Sequence, residues 1–125
     1  MNLNTTDIPT PCYIVDAAAI ERNLKILGSV QERTGCRILL ALKGFAMFSL
    51  FPLIRKYLSG IAASSLHEAR LGSEMFSKEV HVCAPAYIPS EFQTLLSYCD
   101  HVVFNSFTQW KRFRRSIFDA GKSIR

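Results

Sequence analysis

The sequence lacks the glycine-rich loops that bind nucleotide phosphates in α/β proteins. Neither G-x-G-x-x-G nor G-x-x-x-x-G-K-[ST] occurs among its 6 glycines, which argues against a nucleotide-binding sheet. No apolar run approaches the ~20 residues of a transmembrane helix, and Met1–Thr10 has no basic region followed by an apolar one, as a secretory signal would. We therefore expect a cytoplasmic protein that has no membrane partner.

The cysteines lack the spacing of a metal site or a disulfide framework. Cys12, Cys36, Cys83 and Cys99 show neither C-x-x-C spacing nor a histidine at ligand spacing, which predicts reduced, mostly buried thiols and no bound metal. The chain also lacks a large excess of either charge, since 15 lysines and arginines against 10 acidic residues give a net charge of only +5. This excess favours an anionic ligand but is too small to indicate nucleic-acid binding.

A strand–helix repeat fills most of the chain. With 125 residues, 49% hydrophobic and 20% charged, the composition is that of one globular domain. After a short strand at Cys12–Val15 and a helix that Asp16 caps and Gly35 ends, four strand–helix units follow. Their strands are predicted at Ile38–Leu42, Gly60–Ala63, Val80–Ala84 and His101–Phe104, and their helices at about Phe48–Leu58, from Ser64-Ser65, from Pro89 and from Ser106 to Gly121.

This alternation predicts an α/β fold with parallel strands and right-handed crossovers. A doubly wound open sheet and a (β/α) barrel both remain candidates. The nearly uniform unit length and the absence of phosphate loops favour the barrel. A whole barrel takes about 250 residues and eight units, so we expect half of a barrel, with a fifth strand beginning at residues 123–125.

Lys43 follows the apolar run Ile38–Leu42 directly. The run predicts a strand buried on both faces, with the stem of Lys43 in the core and its amine at the mouth of the fold. A lysine in that position can form a Schiff base with a carbonyl compound. The alternative is that Lys43 only ends a strand and extends to solvent.

The other strand ends supply polar groups to the same mouth, because functional residues of parallel α/β folds lie at the carboxyl ends of the strands. The predicted ends are Lys43-Gly44, Ser64-Ser65, Pro85-Ala86-Tyr87 and Asn105-Ser106. A lone amine among hydroxyls and an amide suits a carbonyl cofactor better than a metal.

Glu68 has two interpretations. Ser65 and Glu68 fit a capping box, and Glu68 is equally a candidate active-site carboxylate. Ser90 and Ser106 are candidate N-caps. The three histidines lie on different elements and are expected at the surface or beside strands. The basic cluster Lys111–Arg115 is expected to be a solvated helix face.

Five motifs, in order along the chain, resemble fold type III pyridoxal-phosphate enzymes, the alanine racemase and ornithine decarboxylase group. Four of them resemble the carboxynorspermidine (carboxyspermidine) decarboxylase branch in particular. The motif shared with the whole group is PTPCYIVD (Pro9–Asp16), and those of the branch are ALKGFA (Ala41–Ala46), AASSLHEARLG (Ala62–Gly72), HVCAPAY (His81–Tyr87) and VFNS (Val103–Ser106).

The resemblance implies specific roles. Lys43 would bind pyridoxal 5′-phosphate covalently, Ala41 would lie beneath the cofactor ring, and Glu68, with Ser65 beside it, would belong to the active site. Ala62 stands where ornithine and diaminopimelate decarboxylases carry an aspartate, which fits the carboxynorspermidine branch. The cofactor would act as the electron sink for decarboxylation.

The implied enzyme is a homodimer that converts carboxynorspermidine or carboxyspermidine to norspermidine or spermidine. Residues 1–16 would be the opening strand of a second β domain and residues 17–125 the first half of a (β/α)8 barrel. By this resemblance the rest of the barrel, its glycine-rich phosphate loop and the C-terminal β domain would lie beyond residue 125, so the chain alone is expected to be inactive. Another decarboxylase or racemase of this fold, or a non-catalytic fragment, remains an alternative.

Overall fold

The computed structural model describes Thr6, residues 8–121 and residues 123–125. Helices and strands alternate over this part of the chain. The elements are α1 (Ala17–Thr34), β1 (Leu39–Ala41), α2 (Phe51–Ile54), β2 (Gly60–Ala63), α3 (Leu66–Leu71), β3 (Glu79–Cys83), α4 (Pro89–Tyr98), β4 (His101–Val103) and α5 (Phe107–Phe118). A 3₁₀ turn, Phe48–Leu50, leads into α2, and a π-helical turn, Gly72–Phe76, continues α3. None of the described helices is long and apolar enough to cross a bilayer.

The four strands form one parallel sheet in the order β1-β2-β3-β4. The predicted α/β class with a parallel sheet is therefore confirmed. The strand order follows the chain order without the reversal that defines a doubly wound sheet. Sequential order is the arrangement that a barrel segment requires.

The two faces of the sheet have different environments. Ile61, Ala63, Val80 and Val82 alternate along β2 and β3 and are at most 1% exposed, because the helices pack on their side. The residues between them point the other way and are half-buried or exposed. We call this second side the open face; it carries Ala41, Ala62, His81, Cys83, His101 and Val103.

The core lies between the sheet and the helices and is rich in aromatic rings. Phe51 and Phe76 are fully buried and meet edge to face, with ring centroids 5.3 Å apart. At Gly72 the helix approaches β2 so closely that a Cβ atom would lie 2.5 Å from the side chain of Ile61. Only glycine allows that approach without a shift of the helix or the strand.

Polar contacts of α1 fix where β1 begins. The Asp16 carboxylate accepts from the first-turn amides of α1, and Gly35 ends the helix at a φ of 70°, as predicted. The Gln31 side chain then donates to the Tyr57 carbonyl at 2.6 Å and accepts from the Ile38 amide at 2.7 Å. This one side chain joins α1, the end of the α2 region and the start of β1.

Several predicted elements differ from the observed ones. The strand predicted over Ile38–Leu42 is shorter and half exposed, because no described element covers the open face. The helix predicted to reach Leu58 is α-helical only as far as Ile54. Beyond it the amides of Lys56 and Tyr57 donate to carbonyls three residues earlier, as in a 3₁₀ turn. Ser90, a candidate N-cap, lies inside the first turn of α4, and the N-cap is Ile88, which makes no side-chain capping bond.

The strand predicted over Cys12–Val15 has no strand partner among the described residues, and Tyr13 is 94% exposed. A strand needs a neighbour for its backbone hydrogen bonds. The assignment of residues 1–16 to a second β domain stays a prediction, and Met1–Thr5 and Asp7 lie outside the described residues.

The prediction of mostly buried thiols was wrong. Cys12, Cys36 and Cys83 are exposed, and only Cys99 is buried. Cys83 is exposed because it lies on the open face, and Cys12 and Cys36 because they lie in connecting segments.

Arg125 begins to pair with β4, as the expected fifth strand would. Its amide donates to the Asp100 carbonyl at 3.0 Å, and its carbonyl accepts from the Val102 amide at 2.9 Å. These two bonds, to Asp100 just before β4 and to Val102 within it, are the pattern of a parallel pair.

Candidate active site at the carboxyl ends of the strands

Lys43 lies in a tight turn directly after β1. The Leu42 amide still donates to the Ala62 carbonyl at 3.0 Å, so pairing with β2 continues one residue past the strand. The amides of Gly44 and Phe45 then both donate to the Ala41 carbonyl, at 3.0 and 3.1 Å, and turn the chain away. The position of Lys43 is therefore fixed by backbone bonds on both of its sides.

The Lys43 side chain is exposed, whereas its neighbour Leu42 is 3% exposed. The predicted burial of its stem is wrong for the described residues, because nothing among them covers this end of the open face. Its amine makes no hydrogen bond or ion pair with any residue of the described part. It is a primary amine available for reaction at the mouth where the sequence predicted one.

Small side chains adjoin Lys43 on the sheet. Ala41, two residues before the lysine, pairs in register with Ala62 of β2, and Ala41 is exposed and Ala62 half-buried. Methyl groups at both positions leave space over the open face beside the amine. A flat ring could lie on the sheet over Ala41 and Ala62 without displacing a side chain.

Glu68 lies at the amino end of α3, next to the end of β2. Its carboxylate accepts from the Ser64 amide at 2.6 Å, and its own amide donates to the Ser65 hydroxyl at 3.2 Å. The predicted capping box is confirmed, except that the carboxylate reaches the residue before the cap. The half-buried Glu68 carboxylate is thereby held at the mouth.

The ends of β3 and β4 are tied to each other. The Tyr87 hydroxyl donates to the Val103 carbonyl at 2.7 Å, and the side chains of Asn105 and Gln109 both donate to the Pro85 carbonyl, at 3.0 and 3.2 Å. Burial raises the pKa of Tyr87 to about 12. Tyr87 and Asn105, which the sequence placed at the mouth, therefore hold these two loops together.

Two predictions for α5 are confirmed, although the helix ends at Phe118 and not at Gly121. The Ser106 hydroxyl accepts from the Gln109 amide at 3.1 Å and caps the helix. The basic residues of Lys111–Arg115 are exposed, with the Arg114 guanidinium 5.0 Å from the centre of the Trp110 ring. This cluster is a solvated helix face.

Sequence reasoning missed a cluster on the open face. The Nε2 atoms of His81 and His101 lie 3.1 and 3.7 Å from Oε2 of Glu79, and the two rings stack 3.9 Å apart at 11°. The hydrogen bond from His81 lowers the pKa of Glu79, although burial opposes it, and the Arg37 guanidinium adds to the lowering. Burial, followed by the neighbouring His81, lowers the pKa of His101.

A sequence signal for this cluster existed. Glu79 and His81 are two apart, which puts them on one face of a strand. His101 follows His81 at the spacing of the strand–helix repeat, so the two histidines become direct neighbours in register. The prediction treated the histidines as scattered because it noted only that they belong to different elements. It did not consider which residues of β3 and β4 lie side by side.

Similar proteins have been named. The chain is 42% identical over 116 residues to the carboxyaminopropylagmatine decarboxylase of Synechocystis sp., covering 93% of this chain and 30% of that protein. It is 39% identical over 118 residues to the carboxynorspermidine/carboxyspermidine decarboxylase of Herminiimonas arsenicoxydans, covering 94% of this chain and 32% of that protein. No family model matches the chain.

A solved structure agrees with these relatives. Carboxynorspermidine decarboxylase from Campylobacter jejuni, crystallised with norspermidine, superposes with a TM-score of 0.83 at 38% identity and covers 87% of this chain. The chain is therefore similar, in sequence and in fold, to part of the carboxynorspermidine/carboxyspermidine decarboxylases. It spans 30% of the length of that solved chain, and about as much of the curated relatives.

Proposed function

We propose that this chain is the lysine-bearing part of a pyridoxal-phosphate-dependent enzyme that decarboxylates a carboxylated polyamine. The observation that carries the proposal is the position of Lys43. It offers an accessible amine at the carboxyl end of β1, in a chain at least 38% identical to decarboxylases of such substrates.

The residues around Lys43 fit pyridoxal phosphate. Attachment of the cofactor requires a reachable primary amine, and Lys43 supplies one. Ala41 and Ala62 leave the adjacent floor free of bulky groups, so Lys43 would hold the cofactor and Ala41 would lie beneath its ring. When bound, pyridoxal phosphate supplies the electron sink that accepts the electron pair left as CO2 departs.

With its amine free, Lys43 would hold and deliver a proton at Nζ. Glu68 would serve the substrate. A polyamine carries several positive charges, and a carboxylate at the mouth attracts and orients them. The amide of Ser64 holds one oxygen of Glu68 at 2.6 Å, which fixes the direction of the other, and Ser65 positions the helix that carries it.

We further propose that the four parallel units are half of a closed (β/α)8 barrel. Sequential strand order and the pairing of Arg125 with β4 support it. The phosphate-binding loop of the resembling enzymes has no counterpart in these 125 residues. We therefore expect the chain by itself to retain cofactor weakly and to be inactive, and the whole enzyme to be a cytoplasmic homodimer.

The relatives' names support a carboxylated polyamine as the substrate class, but they differ in which polyamine they name. One relative is named for carboxyaminopropylagmatine and others for carboxynorspermidine and carboxyspermidine. The first ends in a guanidinium group, whereas the other two end in primary amines. The enzyme containing this chain should be assayed with all three for release of CO2.

The direct test of the Lys43 assignment is reductive trapping. The chain is incubated with pyridoxal phosphate, reduced with borohydride and mapped by peptide mass spectrometry. We expect the adduct mainly on the peptide containing Lys43, and its loss in Lys43→Ala. Lys111→Ala, which removes an exposed amine from α5, is the matched control and should label as the unaltered chain does.

Two results would contradict the proposal. Labelling spread evenly over the exposed lysines would show that Lys43 has no preference for the cofactor. Measurable decarboxylation of carboxynorspermidine by the purified chain would refute the expectation that it is inactive alone.

A further inference from the structure

The cluster of Glu79, His81 and His101 lies apart from Lys43 on the sheet. Its residues come from two adjacent strands, β3 and β4, which are hydrogen-bonded to each other with His81 and His101 in direct register. Glu79 and His101 are the first residues of these strands and His81 is the central residue of β3, whereas Lys43 lies beyond the carboxyl end of β1. The decarboxylation proposed above makes no use of them.

The donor atoms of the cluster have the spacing of metal ligands. Both imidazole Nε2 atoms approach the same carboxylate oxygen, Glu79 Oε2, at 3.1 and 3.7 Å. One possible ligand atom from each of the three residues lies within 4.8 Å of those of the other two. Ligands that bind one ion at about 2.1 Å are about 3.0 to 3.4 Å apart in octahedral or tetrahedral geometry. The two measured distances lie close to that range.

The surroundings leave these donor atoms usable. Arg37 pairs with the other carboxylate oxygen, Oε1, at 2.9 Å, so it orients Glu79 without occupying Oε2. The three side chains are between 21% and 29% exposed. A 200 Å³ concavity adjoins Glu79 and His101 and is completed by Asp100, Ser123 and Arg125. In the described part of the chain, an ion and its water ligands can therefore reach the cluster from the amino ends of the strands.

We propose that Glu79, His81 and His101 form a binding site for a divalent late first-row transition ion, such as Zn2+. Two imidazoles, one carboxylate and water form a ligand set that these ions accept. The stacked rings tilt from their 11° interplanar angle so that both lone pairs point at the ion. The ion then joins β3 to β4 through side chains, in addition to the backbone bonds between the strands.

The site is tested with Co2+, whose visible absorption reports its ligands, on the purified 125-residue chain. We expect saturable uptake of one Co2+ per chain, displaced by Zn2+. Calorimetry with Zn2+ measures the affinity independently. Heteronuclear NMR of the histidine side chains, which needs no variant, should show shifts at His81 and His101 and none at His67.

Variants assign the ligands. His81→Ala, His101→Ala and Glu79→Gln should each weaken binding by about tenfold or more. His67→Ala removes an exposed histidine of α3 and should bind as the unaltered chain does. Circular dichroism of every variant, recorded with a chelator present, separates loss of the site from loss of the fold.

Three outcomes would overturn the proposal. One is the absence of saturable uptake by the unaltered chain. Another is uptake that persists in folded His81→Ala and His101→Ala variants. The last is the intense near-ultraviolet band of a Co2+–thiolate bond, which would assign the ion to an exposed cysteine such as Cys83.

Discussion

The two faces of the sheet differ in the exposure and the polarity of their side chains. On the helix-covered face, Ile61, Val80 and Val82 are at most 1% exposed and pack as a continuous apolar layer. On the open face, Ala62 and His81, which alternate with them along the same strands, are half-buried. The side chains on the helix-covered face therefore stabilise the fold, and those on the open face are free for binding and chemistry.

The difference assigns separate tasks to neighbouring residues. Changes on the covered face should act on the free energy of unfolding. Changes on the open face and at its mouth should act on binding while the fold persists. The predictions below test this division, in order of the expected change in the free energy of unfolding.

Phe76→Ala should have the largest effect. Phe76 is fully buried against Phe51, and its truncation leaves a cavity that the rigid neighbouring strands cannot fill. We expect a loss of about 3 to 5 kcal/mol, a large part of the stability of a small domain. Urea unfolding followed by circular dichroism measures it.

Met75 is the matched control for Phe76, because it precedes it in the same helical turn and is 46% exposed. Met75→Ala should cost much less. Equal losses for the two variants would show that the covered face is no better packed than the surface.

Gly72→Ala should destabilise by about 1 to 3 kcal/mol, since the added Cβ atom overlaps Ile61 and overpacks the core. The cause is checked with a double-mutant cycle. Ile61→Ala removes both atoms that the new methyl group meets, so the double variant should be more stable than the sum of the single losses predicts. Additive losses would exclude this overlap as the cause.

Tyr87→Phe should cost about 1 to 2 kcal/mol, because the Val103 carbonyl loses its buried donor. The pKa of Tyr87 is raised to about 12 from 10.0 by burial. Its neutral hydroxyl therefore contributes stability that is fully present below pH 10 and is lost as the pH rises from 10 toward 12.

The stability gap between the unaltered chain and Tyr87→Phe should accordingly narrow above pH 10. Urea titrations at a series of alkaline pH values measure the gap. Tyr13→Phe, at a position that is 94% exposed, is the control for loss of a tyrosine hydroxyl and should change the free energy of unfolding at neutral pH by less than about 0.5 kcal/mol. A gap for Tyr87→Phe that stays constant with pH would mean that its hydroxyl titrates normally.

Most of the fold was predictable because its signals are local. The apolar spacing of the helices, the caps at Asp16 and Ser106 and the strand–helix repeat each depend on residues close in sequence. The exposure of β1 was not predictable in this way. An apolar run such as Ile38–Leu42 shows that a strand can be buried, but burial depends on what covers it.

In the candidate site, too, features with a local sequence signal were predicted, and features that depend on strand pairing were missed. Lys43 was found because it directly follows an apolar run. The tie from Asn105 to Pro85 and the cluster around Glu79 were missed, because both depend on which residues of β3 and β4 come into register. Register is set by the packing of whole strands and is only weakly encoded in any one of them.

Lys43→Ala should have the smallest effect on stability and a complete effect on cofactor capture. The side chain is exposed and contributes no hydrogen bond or ion pair within the described part of the chain, so its removal should change the free energy of unfolding by less than about 0.5 kcal/mol. The same variant should lose the borohydride-trapped adduct. A large loss of stability would mean that Lys43 supports the turn after β1, and the trapping result could then no longer be attributed to the missing amine alone. The variant Lys43→Met, which keeps the apolar stem and removes the amine, separates the two effects. It should unfold as the unaltered chain does and still lose the adduct at position 43.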